Sequence, residues 1–186
     1  MLGDDMEGMM PDLFSIESIL TMIHGMVFGG GALMGLVALL FVLLFMASPP
    51  GSDVSARHSG AVAALAVLVA IALWATVIGG TYLVFPPYRV APPEGVADLV
   101  QYPRYFLLDA PETAWLHAYA METKEHVPWI AAFLGTAVAF VGMRNRATVL
   151  SEPAVRRTLI TLTAICLALT AYVAVLGVFV NKVAPL

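Results

Sequence analysis

The residues with the most chemistry in this 186-residue chain lie between Trp115 and Trp129: His117, Met121, Glu122, Lys124, Glu125 and His126. They open an otherwise apolar stretch. Ionisable side chains at the rim of a membrane helix are costly to bury and are therefore functional candidates. His24, inside the first apolar stretch, is the partner they could meet. Counting along a helix from Ser48 puts His24 roughly 36 Å from the far end of its stretch. From Arg144 the same count gives roughly 27 Å for His126 and roughly 40 Å for His117, so His24 falls between them in depth.

His117 and His126 are nine residues apart. At about 100° per residue they point to opposite faces of one helix. One face reads Thr113, His117, Met121, Lys124, Pro128; the other reads Glu122, His126, Trp129, Ile130, Phe133. Pro128 should kink or loosen the helix between them. On the first stretch, Gly31 and Gly35 lie below His24 on its own face, where missing side chains let a flat cofactor or another helix approach.

Three chemistries follow. The first is a b-type haem held between His24 and a histidine of the later helix, His126 ahead of His117. Gly31 and Gly35 would make room for the macrocycle, and Arg89, Arg104 or Lys124 would pair with its propionates. Glu122 and Lys124 would stand second to the ligands, in quinol deprotonation or propionate pairing. The chain would then be an electron-transfer subunit near the outer membrane face, exchanging electrons with quinol and an external partner. The second is a metal site without haem. His24, Glu122 and His126 suit iron or zinc, and Met121 with His117 suits copper, as does the tail cluster Met6, Met9, Met10. The third is a cofactor-free structural subunit of a larger respiratory or photosynthetic membrane complex, with Tyr102 to Phe106 as a docking surface. No catalytic residue is assigned. The expected role is a non-catalytic or electron-transfer subunit of a membrane oxidoreductase complex, with other membrane or periplasmic subunits as partners. His58, beside Arg57, reads as solvent-facing.

The elements that must position these residues follow from composition. The chain is 60% hydrophobic and 12% charged, more apolar surface than a soluble domain of this size can hide. Four stretches reach the roughly 20 residues needed to cross a bilayer. The fold class expected is an all-α, four-transmembrane-helix bundle forming one domain over 1–186. Its helices are expected at about 16–47, 60–85, 113–143 and 158–181, with an outer loop over 86–112. Ser48-Pro49-Pro50-Gly51 and Pro86-Pro87 read as stops, and Thr113 as an N-cap or early-turn residue. The acidic start lacks a basic n-region, so the first stretch should be retained and not cleaved.

Arg57, Arg144, Arg146, Arg156 and Arg157 fall in the two short loops, whereas eleven of the thirteen acids fall on the other side. The positive-inside bias therefore sets both termini on the outer, periplasmic side of a prokaryotic inner membrane. The single cysteine, Cys166, excludes an internal disulfide and a thiolate-rich metal site. A net charge of −4 with no basic tract excludes nucleic acid as a partner. The glycine run Gly29-Gly30-Gly31 lies inside an apolar helix and is no phosphate loop.

Overall fold

The structure, a computed structural model, describes residues 15–46 and 53–185. Its elements in chain order are α1 (Ile16–Phe45), α2 (Arg57–Tyr88), α3 (Pro103–Asp109), α4 (Pro111–Arg144) and α5 (Pro153–Val183). The described residues are 83% helical and include no strand, which makes the chain all-α. Helices α1, α2, α4 and α5 are long and apolar enough to cross a membrane, and the chain is a multi-pass integral membrane protein. The tail methionines Met6, Met9 and Met10 and the Ser48–Gly51 stop lie outside the described residues.

The four long helices form a ring in which α1 packs on α2, α2 on α4, α4 on α5, and α5 back on α1. Helices α1 and α4 are therefore diagonal. Consecutive spans alternate in direction, so the described chain starts and finishes at one end of the bundle, here the terminal end. The α1–α2 and α4–α5 connections lie at the other, basic-loop end.

Toward the basic loops, Leu39, Leu43, Val62, Ala66, Val138, Leu150 and Leu159 form a closed apolar core. Above them Ala32, Leu36, Val69, Leu73, Ala131, Ala132 and Cys166 continue it. Gly35 and Gly135 set the helix spacing here. A Cβ on Gly35 would come 2.7 Å from Val69 Cγ2, and one on Gly135 would come 2.5 Å from Leu73 Cδ1. The α2–α4 seam is closed by Trp74, whose indole N–H donates to Thr136 Oγ1 at 3.0 Å. The Trp74 ring meets Trp129 and Phe133 edge to face. At the terminal end a third core gathers Tyr88, Leu107, Leu116, Ala120, Met121, Leu176 and Val180, linking α3 to the long helices.

The loop expected over 86–112 is partly helix. Pro86 and Pro87 do not stop α2, because they occupy the first turn of a new register, Phe85–Tyr88, where no intrahelical N–H is needed. Pro103, Pro111 and Pro153 start α3, α4 and α5 in the same way. Ala110 holds the cap position of α4, and Thr113 lies in the first turn, the second of its two expected places. Its hydroxyl donates to the carbonyls of Leu107, at 2.9 Å, and Ala110, at 3.1 Å, tying α3 to α4.

Candidate functional site

Three interruptions of the α-helical pattern occur toward the terminal end: π-helical turns at Ile23–Gly29, Gly80–Val84 and Leu116–Met121. Such turns are rare, arise from an inserted residue, and concentrate at functional sites. Here they contain His24, Gly80 and His117. A Cβ on Gly60 would lie 2.6 Å from Arg146 Nη2, so Gly60 stands level with the basic loops. Twenty residues of helix carry α2 from there to Gly80, roughly 30 Å and about one hydrocarbon thickness. The layer that holds His24, Gly80, Lys124 and Glu125 therefore lies at the hydrocarbon boundary nearest the termini. His117, Tyr88 and Arg89 lie beyond it, among head groups.

His24 projects from α1 onto α2. A Cβ on Gly80 would fall 2.7 Å from His24 Cε1 and 3.3 Å from Nε2, so the bare backbone of α2 is the seat of the imidazole. His24 Nδ1 and, one turn before it, Thr21 Oγ1 are buried without a hydrogen-bond partner. The charged group acting on His24 is Lys124 of α4. The Lys124 chain runs against α5, where a Cβ on Gly177 would come 3.4 Å from Nζ.

His117 and His126 serve different surroundings, as their spacing implies. Half-buried His117 is joined through Nδ1 to the buried Tyr88 hydroxyl by a 2.9 Å hydrogen bond. His126 is exposed. Its Nδ1 donates to the carbonyl of Glu122 at 2.7 Å, which puts a proton on Nδ1. Also exposed on α4 are Trp115, Tyr119, Ile130 and Phe133, and Tyr119 bonds through its hydroxyl to that of Tyr172 on α5.

As packed, His24 and His126 do not face one another: one lies on α2, the other points off the diagonal helix. Gly35 admits α2 through Val69, and Gly31 has no side chain or backbone near its would-be Cβ. Buried Met121 packs in the terminal-end core with Leu116 and Leu176. No group of three or more His, Cys, Asp or Glu side chains converges as a metal site among the described residues.

Among the described residues, a cavity of about 90 Å³ opens at each end of the bundle. One, at the basic-loop end, is walled by Val42, Met46, Ala61, Val62, Leu65 and His58. His58 is therefore half-buried against apolar side chains, contrary to the solvent-facing place expected from its neighbour Arg57. The other, at the terminal end, is lined by Phe85, Arg89, Arg104, His117, Glu122 and Glu125. Arg89 and Glu122 stand exposed at its rim, with Arg104, Glu125 and His117 further in. Arg89 lies over the Phe85 ring, 5.4 Å from its centroid. Arg104 Nε is buried without a hydrogen-bond partner.

Sequence reasoning missed Tyr88 as the partner of His117, because Pro86-Pro87 read as the end of the helix. It also missed that Arg89 and Arg104 share one pocket with Glu122 and Glu125. The Pro103 start of α3 was the signal available for Arg104. No protein-family model, curated protein or solved structure matches this chain.

Proposed function

We propose that this chain is an accessory subunit of a larger complex in a prokaryotic inner membrane, its termini on the periplasmic side, contributing packing surface and no catalytic residue. The observation that carries this reading is His126. An ionisable imidazole, exposed and bonded through Nδ1 to its own helix, sits at the hydrocarbon boundary one turn from exposed Ile130, which leaves Nε2 for a partner. Lipid tails offer that nitrogen nothing, whereas a transmembrane helix of another chain that supplies a hydrogen-bond donor satisfies it. Trp115, Tyr119 and Phe133 are also exposed on this helix, and aromatic residues are enriched in protein interfaces.

The test is mild-detergent purification of the tagged chain with mass spectrometry of what accompanies it. A stoichiometric membrane partner, reduced at least about tenfold by His126→Leu, supports the reading. A chain that purifies alone, in mild detergent and in native-lipid discs alike, overturns it.

A second reading is an electron-transfer subunit with one b-type haem, and two features favour it. Metal-ligating histidines characteristically donate one ring N–H to a carbonyl and present the other nitrogen, as His126 does. His24 Nδ1 is buried and unpartnered. A macrocycle reaching both would need His24 drawn off Gly80, so His126 ligating at the bundle surface, next to a partner chain, is the simpler arrangement. Copper or non-haem iron is the corresponding alternative. A dithionite-reduced minus oxidised visible spectrum, with elemental analysis, separates these. A sharp α-band lost in His126→Ala supports haem, and a flat spectrum with no metal removes both.

A further inference from the structure

The terminal-end cavity has a composition that the accessory-subunit reading does not use. It sets two guanidinium groups and two carboxylates around about 90 Å³, with one aromatic wall, Phe85, and one imidazole, His117. The four charges sum to zero, so a simple anion or a simple cation would meet as much repulsion as attraction. A ligand carrying both signs a few ångströms apart meets neither. The cavity also lies at head-group depth. Glu125 is roughly 29 Å of helix from Arg144, at the hydrocarbon boundary, and the cavity opens from there toward the termini.

We infer that this cavity is a binding site for a zwitterionic phospholipid head group, phosphoethanolamine, from the leaflet nearest the termini. The phosphate is taken by Arg104 and Arg89. Arg104 Nε is a buried donor with no protein acceptor, and guanidinium groups match phosphate oxygens in a planar fork. The primary ammonium is taken by Glu122 and Glu125, whose carboxylates are acceptors only. A quaternary choline offers no N–H to them, and a glycerol head group offers no positive charge. His117 is held by Tyr88 through Nδ1 and adds Nε2 to the polar lining. Phe85, with Arg89 over its ring, turns an apolar wall toward the glycerol end, and the acyl chains leave along the exposed lipid-facing surface.

The experiment is native mass spectrometry of the full chain in detergent. It is titrated with short-chain phosphatidylethanolamine, phosphatidylglycerol or phosphatidylcholine, and separately with free O-phosphoethanolamine. One phosphatidylethanolamine should be retained per chain, at least about tenfold more tightly than either other lipid. Free O-phosphoethanolamine should compete, but more weakly, because it lacks the apolar contacts. Glu122→Gln with Glu125→Gln should invert the preference toward phosphatidylglycerol, since the guanidinium groups then stand unopposed. Arg89→Ala with Arg104→Ala should weaken phosphatidylethanolamine retention about tenfold or more.

Phosphatidylglycerol bound best by the unaltered chain overturns the proposal in favour of an anion site. Equal retention of all three lipids overturns it in favour of an unspecific annulus. O-phosphoethanolamine binding as tightly as the lipid reassigns the pocket to a soluble zwitterion. The lipid-class comparison on the unaltered chain needs no variant, so a variant that fails to fold leaves the proposal open to refutation.

Discussion

The two ends of the bundle are built on different rules. Toward the basic loops, polar side chains serve their own backbone. Asn145 Nδ2 donates to the Val141 carbonyl, Arg156 Nη1 to that of Leu150, and Thr158 to that of Ala154 one turn back. Buried Thr163, whose hydroxyl has no partner, departs from this pattern. Toward the termini three π turns break the helices, Thr21, His24 and Arg104 carry unpartnered buried atoms, and Lys124 enters the bundle. One end is a scaffold whose polar groups are settled by the chain itself. The other holds polar groups that the chain alone leaves open, the pattern expected of a site completed by something else.

The sharpest test of this difference compares two glycines whose added Cβ would meet a neighbour at the same 2.7 Å. Gly35 faces Val69 Cγ2, and a β-branched side chain in a helix has essentially one rotamer. Gly80 faces His24 Cε1, the tip of a ring carried on two rotatable side-chain bonds, which can turn further than a β-branched valine. Both alanines gain up to about 1 kcal/mol of helix propensity, but overpacking costs about 1–3 kcal/mol where the neighbour cannot yield. Gly35→Ala should therefore be the less stable variant by about 1–2 kcal/mol in thermal unfolding followed by helical circular dichroism. Equal losses would mean that His24 is as fixed as Val69, and the contrast between the ends would fail.

The sequence carried the scaffold well and the site only in part. The four spans are legible because apolar residues run all round each helix for longer than a bilayer is thick, a signal that no tertiary detail overrides. The separation of His117 from His126 is legible too, since nine residues turn a helix by half a revolution. What spacing could not show is where a helix changes register. The π turns at His24, Gly80 and His117 rest on how neighbouring helices pack, not on any local residue preference. Once Gly80–Val84 winds as π-helix, Pro86-Pro87 begins a new turn and delivers Tyr88 to His117. Gly35 admits another helix, as a missing side chain allows, with Val69 of α2 against it; spacing does not reveal that the glycine seating His24 is Gly80, on that other helix.

The next test falls on the terminal end. Tyr88 is 2% exposed and its hydroxyl is joined to His117. Tyr88→Phe leaves His117 without that bond and should cost about 1–2 kcal/mol. His117→Leu should cost a similar amount by stranding the buried hydroxyl. The double variant should recover part of the loss, with a coupling of at least about 0.5 kcal/mol. Strict additivity would show that the two groups are not partners.

Lys124→Met should move stability the other way. The side chain lies along Gly177 inside the bundle, and methionine keeps most of its length while removing a charge from an apolar setting. The unfolding midpoint should rise by an amount equivalent to about 1 kcal/mol. A fall of that size would show that Lys124 is held by a partner or ligand, and the terminal end would then be more nearly complete than its open atoms imply.

The smallest effect on the isolated chain is expected at His126, and there the comparison bears on function. Its ring is exposed and its only recorded bond is to the Glu122 carbonyl of its own helix. His126→Leu removes that bond where little else is packed, so purified-chain stability should change by less than about 0.5 kcal/mol. If the imidazole faces lipid alone, leucine is equally indifferent in the native membrane. If a second chain covers α4, the same substitution strands the partner's donor in a low-dielectric seam, where an unmet polar group costs about 1–3 kcal/mol. Assembly in native-lipid discs should then fall about tenfold while the chain itself stays folded. A variant that is silent in both settings would leave His126 an interfacial residue and remove the observation on which the accessory-subunit reading stands.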